Sequence, residues 1–277
     1  MAAWLPKGVL GMRHMLLALA LVFALLVHPP AIQAAPVGDW LNLDGVTNGA
    51  IRVAYDVKPG VKTKLMIEKG QDKYTYTLLP NKGEETFALQ MGNGDYTVTV
   101  LEQMEGNKYK IVQEATVKLE VADSTKVYLN PIQNVNFTAA NEAVKKAKEL
   151  TATLATDREK VQAIYEYIIN NIQYDEALAA NVPADYIPDI DRTLAAKTDI
   201  CYGYAALFAG MLRGIDIPAK LIMGTTEYVS AYHAWNEVYV NNQWVTIDTT
   251  VDAGWNGSGT AFQMEKDAAK YNPAKTY

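Results

Sequence analysis

Apolar and polar positions alternate with the two-residue period of a half-buried strand from residue 37 to about 132. The runs 51–57, 74–79, 96–101 and 115–121 carry this alternation and are rich in Val, Ile, Thr and Tyr. Turn signals separate them: Pro59-Gly60, Asn81 to Gly83, Gly92 to Gly94 and Glu105 to Asn107. Short strands at this spacing predict an all-β, sandwich-like domain over residues 36–132. Its tyrosines, Tyr74, Tyr76, Tyr96, Tyr109 and Tyr128, suit half-buried strand positions; a binding face is the alternative.

The rhythm changes near Asn130-Pro131, and residues 133–277 read as a second, mixed domain. Residues 139–150 are rich in helix formers, and Thr156 to Glu159 reads as a capping box. Val161, Ile164, Tyr165, Ile168, Ile169 and Ile172 then recur at helical spacing. Pro183, Pro188 and small residues predict a loop from about 176 to 191. Thr198 and Asp199 are good N-cap residues for a buried helix marked by Tyr204, Ala205, Phe208, Met211 and Leu212 and closed by Gly214. Residues 232–240 and 243–248 alternate on either side of Asn241-Asn242, which predicts a hairpin. The tail from Ala261 to Tyr277 reads equally as a short helix over the site or as a loose end.

The first 35 residues follow another pattern. Lys7 and Arg13 are their only charges, residues 15–27 are apolar throughout, and small residues follow at Ala31, Ala34 and Ala35. A helix of that apolar run spans about 20 Å, short of a hydrocarbon core of about 30 Å. Residues 1–35 therefore predict a cleaved secretory signal, cut near Ala34 or Ala35, and an extracytoplasmic destination. Cleavage would move the formal charge from −6 to −8, since two positive residues and no negative one depart. An acidic chain without a basic cluster is a poor partner for nucleic acid or anionic membranes. It would also leave one cysteine, Cys201, and one histidine, His233.

That pair frames the chemistry. An exported chain with a single thiol forms no internal disulfide, so Cys201 is an inert buried residue, an intermolecular link or a reactive group. The helical pattern puts Cys201 in a first turn, where free amides favour a thiolate nucleophile. With a two-residue turn at 241–242, paired positions sum to 483, so His233, Trp235, Asp248 and Thr250 share one face. His233 and Asp248 become diagonal neighbours about 7–8 Å apart by backbone, close enough for the carboxylate to orient the imidazole. Singly, each residue also suits a structural role: His233 a hydrogen-bonded core histidine, Asp248 a cap at a strand end. Together they form a candidate Cys201–His233–Asp248 triad.

Residues 156–254 resemble the transglutaminase-like domain family, a branch of the papain-like thiol fold. Cys201 to Ala205, continuing through Leu212 to Ala219, is similar to the family's cysteine helix and the strand entry after it. His233 to Tyr239 resembles its histidine strand, and Trp244 to Thr250 its aspartate strand. The resemblance implies an α+β core with the cysteine helix against an antiparallel sheet. It implies Cys201 as nucleophile, His233 as base and acid, and Asp248 as orienting carboxylate. It also implies attack on an amide carbonyl, a thioester, and release to an amine or water. Asn236 and Thr249 depart from the family, which often shows Val and Pro there, so the substrate cleft is expected to differ.

The Cys201 amide is one oxyanion donor candidate; Gln173 and Tyr174 are open alternatives for a second. Trp235 reads as core. Asp185, Asp189 and Asp191 read as a solvated loop, Gly203 and Gly210 lack phosphate-loop spacing, and no metal or nucleotide cofactor is implied. Three functions follow: a transglutaminase-like acyltransferase acting on a glutamine-bearing protein or peptide; a cysteine peptidase or deamidase with the same triad; or a non-catalytic exported protein binding a cell-wall or surface partner through its N-terminal domain.

Overall fold

The alternation of residues 41–119 folds into two antiparallel sheets. A computed structural model describes residues 38–277, which fall in one compact unit; the expected secretory signal lies outside the described residues. The first sheet joins β1 (Leu41–Asn42), β2 (Ala50–Ala54) and β5 (Glu84–Ala88) in the order β1-β2-β5. The second joins β3 (Thr63–Lys69), β4 (Asp72–Leu78), β6 (Gly94–Gln103) and β7 (Tyr109–Leu119) in the order β4-β3-β6-β7. The expected runs at 51, 74, 96 and 115 become β2, β4, β6 and β7. Three strands were not anticipated: β3, β5 and the two-residue β1. In β3, Thr63, Leu65 and Ile67 are fully buried between two neighbours, and in β5 the apolar stretch is only Phe87-Ala88.

The helical part opens with α1 (Glu142–Thr151) and α2 (Asp157–Asn171). The Thr156 hydroxyl accepts from the Glu159 amide and the Glu159 carboxylate accepts from the Thr156 amide, so the capping box forms as read and contributes about 1 kcal/mol. The short strand β8 (Gln173–Tyr174) pairs in parallel with β9 (Thr198–Asp199). Between them the expected loop contains α3 (Glu176–Ala180), capped by Asp175, and its last residues begin α4 (Ile190–Ala196).

The helix α5 (Cys201–Arg213) is buried from Gly203 onward, which accounts for an apolar surface on every side. It packs against α1, α2, α4, β10 (Ala219–Thr226) and β11 (His233–Val240). The sheet beside it has the order β12-β11-β10-β13, with β12 at Gln243–Ile247 and β13 at Tyr271–Thr276. The tail is therefore no loose end: a single 3-10 turn, Ala268–Lys270, leads into Tyr271–Thr276, a strand antiparallel to β10. Gly224 permits this closeness, because a Cβ there would lie 2.1 Å from the Asn272 carbonyl oxygen. After β12 the chain turns into α6 (Thr249–Trp255), which packs on α2 and α5.

Candidate active site

Cys201 is the first residue of α5, so its amide has no partner within the helix. The expected capping by Thr198 or Asp199 is not what starts the helix: Ile200 is the N-cap and makes no side-chain cap bond. Asp199, buried, is used one step earlier. Its carboxylate accepts from the Ile200 amide (2.8 Å), the Thr193 hydroxyl (2.6 Å), the Arg192 guanidinium (2.8 Å) and the Tyr186 hydroxyl. These contacts fix the backbone that delivers the thiol. Gly203 sits over that carboxylate, and a Cβ on it would stand 2.0 Å from Asp199 Cγ.

The hairpin supplies the other two groups. Asn241 (φ 53°) and Asn242 (φ 62°) are both left-handed, the conformation a two-residue type I′ turn requires. Val240 pairs with Gln243 and Asn236 with Ile247, the register read from the alternation. The pairing stops there, so the expected partners Trp235–Asp248 and His233–Thr250 are not ladder pairs; Asp248 instead leaves the strand as the N-cap of α6. Its two oxygens divide the work. Oδ1 accepts from the Val251 amide at 3.0 Å, and Oδ2 accepts from His233 Nε2 at 2.9 Å. The cap and the imidazole-orienting roles, posed as alternatives by the sequence, are met by one carboxylate. Asp248 Oδ2 also accepts from the hydroxyl of Tyr271, at 3.0 Å.

With Nε2 engaged, Nδ1 is the ring atom left for the thiol, and Cys201 lines the same cleft as His233. Burial by itself would lower the pKa of this ring. The hydrogen bond to Asp248, with the influence of Cys201 and the negative charge of both, outweighs it and raises the value to about 9. The structure thus brings Cys201, His233 and Asp248 together. Asp248 is fully buried, His233 nearly so, and Cys201 half-buried at the floor of a cleft of about 410 Å³.

Aromatic rings wall that cleft. Tyr174 and Tyr232 are exposed at its mouth; Tyr228 and Trp255 meet edge to face, with centroids 5.4 Å apart; Glu176 is the acidic residue of its lining. Tyr174 therefore flanks Cys201, whereas Gln173 is exposed and outside the lining. Trp235 is core, as read, stacked beside His233. Asn236 lies away from the cleft: its amide donates to the carbonyls of Ala205 (3.0 Å) and Lys220 (2.9 Å), tying α5 to the sheet. Thr249 is the buried first residue of α6. Two of the three loop aspartates are structural. Asp189 caps α4, and Asp191 accepts from the Glu142 and Ala143 amides at the start of α1. Sequence reasoning missed Tyr271, Tyr228, Trp255 and Glu176. None carries a local signal, because they reach the site from the tail, a loop, a helix after the aspartate strand, and the short α3.

Residues 144–249 match the family model of the transglutaminase-like superfamily, a segment that contains Cys201, His233 and Asp248. With the fold above, this gives a transglutaminase-like domain of mixed α and β content following a β-rich N-terminal region. The kyphoscoliosis peptidase of Homo sapiens is 32% identical over 109 residues, 36% of this chain, and that of Mus musculus is 30% identical over the same length. The matched stretch spans only 16% of either relative. Among solved structures, a candidate cysteine protease from Cytophaga hutchinsonii is 16% identical, covering 82% of this chain and 75% of its own, with a TM-score of 0.45. The periplasmic domain of TgpA from Pseudomonas aeruginosa is 15% identical, covering 75% and 89%, with a TM-score of 0.38.

Proposed function

We propose that this protein is an exported thiol enzyme that opens amide bonds through Cys201, His233 and Asp248. One observation carries the proposal: His233 is bonded to buried Asp248 at Nε2, and its ring and the Cys201 thiol line one cleft. In this reading the Cys201 sulfur attacks an amide carbonyl while His233 holds the proton. The Cys201 amide, free at the helix start, donates to the oxyanion. The C–N bond then breaks, the amine leaves with the proton from His233, and a thioester remains. Water or a second amine, deprotonated by His233, releases the acyl group and restores the thiol.

The half-buried sulfur in an open, aromatic-walled cleft favours water as acceptor, and the curated relatives are named peptidases. Transfer to an amine is the second reading, supported by the superfamily match. The substrate is a protein or peptide presenting a glutamine or backbone amide. We take the β-rich residues 36–132 as a sandwich-like module that engages a cell-wall or surface partner, and residues 133–277 as the papain-like thiol module. Export follows from the signal pattern of residues 1–35.

The test offers the purified protein a glutamine-rich protein together with a fluorescent primary amine, beside Cys201→Ala. New peptide termini identify proteolysis, incorporated label transfer, and ammonia without either deamidation; each must vanish in Cys201→Ala. No product from a panel of such substrates, with an unreactive Cys201, would instead mark a binding protein built on an inert thiol domain.

A further inference from the structure

We propose that Tyr271 is a positioning residue of the reaction centre: its hydroxyl shares Asp248 Oδ2 with the His233 ring and sets how strongly the carboxylate holds the imidazole. The inference rests on the thiol–imidazole–carboxylate reading above and adds a fourth group, delivered by the last strand.

The observation is a shared oxygen. Oδ2 accepts from His233 Nε2 at 2.9 Å and from Tyr271 Oη at 3.0 Å, while Oδ1 is held by the Val251 amide at 3.0 Å. A fully buried carboxylate with three donors is satisfied and cannot rotate without breaking one of them. The phenol is itself fixed. Its ring packs on Trp235 (4.9 Å between centroids) and Tyr228 (5.6 Å), and its backbone pairs with Thr226 of β10. Burial, then the charge of Asp248, keeps this phenol protonated far into the alkaline range, so it acts only as a neutral donor.

A neutral donor on Oδ2 draws negative charge away from the side facing His233. The imidazolium is then held less tightly and gives up its proton to a leaving amine more readily. Removing the hydroxyl leaves the Val251 bond in place, so Asp248 keeps its orientation but presents more charge to the ring. Other titratable groups face the pair: Cys201 on α5, Tyr174 on β8 and Glu176 on α3 across the cleft, Tyr228 and Tyr232 from the loop before β11, and, one turn along α6, Asp252, which pairs with Lys266 and accepts from the Tyr165 hydroxyl of α2. Tyr271→Phe alters none of these and preserves the ring that packs on Trp235.

The experiment is a pH titration of the His233 imidazole by NMR in the full-length protein labelled with ¹⁵N-histidine, the signal assigned by its loss in His233→Gln. Tyr271→Phe is expected to move the His233 titration to higher pH by a few tenths to about one unit. Tyr96→Phe is the control: it loses buried hydroxyl bonds to the Leu89 and Gly92 carbonyls in the other part of the chain. It should lower the unfolding temperature without moving His233. An unchanged or lower titration in Tyr271→Phe overturns the inference. Cys201→Ala separates it from the reading it rests on, because loss of the thiol should lower the His233 titration. If that variant leaves His233 unmoved, the thiol–imidazole pair fails and Tyr271 loses its role in catalysis with it; if only Tyr271→Phe is silent, the triad stands and the role of Tyr271 alone falls.

Discussion

At the scale of single residues, Asp248 shows how one side chain can answer two demands. Its Oδ1 starts a helix and its Oδ2 orients His233, so its substitutions should separate the two effects. Asp248→Asn can keep an oxygen for the Val251 amide while its amide nitrogen disturbs the imidazole tautomer. We expect thermal stability near wild type and turnover reduced by ~10²–10⁴-fold. Asp248→Ala should lose both, with about 1 kcal/mol or more of stability gone from the cap and from the buried His233 and Tyr271 donors. Unfolding curves and steady-state rates on the same preparations check this; equal stability losses in the two variants would contradict it. The alternation of 243–248 and the Asn-Asn turn brought Asp248 to the end of the hairpin, but its departure from the strand as the cap of α6 breaks that alternation. The sequence did not carry Tyr271, whose neighbours Asn272, Pro273 and Lys275 show no alternation. That strand is defined by its pairing to β10, a long-range contact with no local imprint, and its proline suits an edge position.

At the scale of elements, the cysteine helix is legible because it is apolar all round and ends in Gly214. Its N-terminus is less so. Asp199 looked like a cap, yet it is consumed by Arg192, Thr193, Tyr186 and the Ile200 amide. Short polar side chains before a helix bond whichever donors the tertiary fold presents, and α4 presents two here. The consequence is testable at Gly203. A methyl there would overlap the Asp199 carboxylate at 2.0 Å, so either Asp199 or the first turn of α5 must shift. Gly203→Ala should destabilise the protein by about 1–3 kcal/mol despite the better helix propensity of alanine. It should also slow turnover, since Cys201 lies two residues away. A variant as stable and as active as wild type would show that the packing of Asp199 does not set the position of the thiol. The strand β3 was missed for a different reason. Leu65-Met66-Ile67 is a brief contiguous apolar run between Lys64 and Glu68, and its central place between β4 and β6 is decided by pairing rather than by local period.

At the scale of the whole molecule, the β-rich region and the thiol region share one hydrophobic core. Buried Arg213 crosses between elements, donating to the carbonyls of Ala219 (2.8 Å), Asn130 (2.8 Å) and Tyr277 (3.0 Å). Reaction-centre electrostatics should therefore register in global stability. The folded protein raises the pKa of His233 from the ordinary 6.5 to about 9, so it binds the imidazole proton more tightly than the unfolded chain does. That contribution is fully present below pH 6.5 and disappears as the pH rises through 9. Urea unfolding at pH 6.5 and 9 should show a loss of stability in wild type that His233→Gln diminishes; the same loss in both proteins would contradict the raised imidazole.

The most direct test of a working thiol–imidazole pair needs no substrate: the rate at which iodoacetamide alkylates Cys201 at pH 6, followed by intact mass in wild type and His233→Ala. An imidazolium beside the sulfur favours the thiolate, so wild type should react at least ~10-fold faster than the variant. Equal rates, or a wild-type thiol that resists the reagent, would show that the two side chains do not act together.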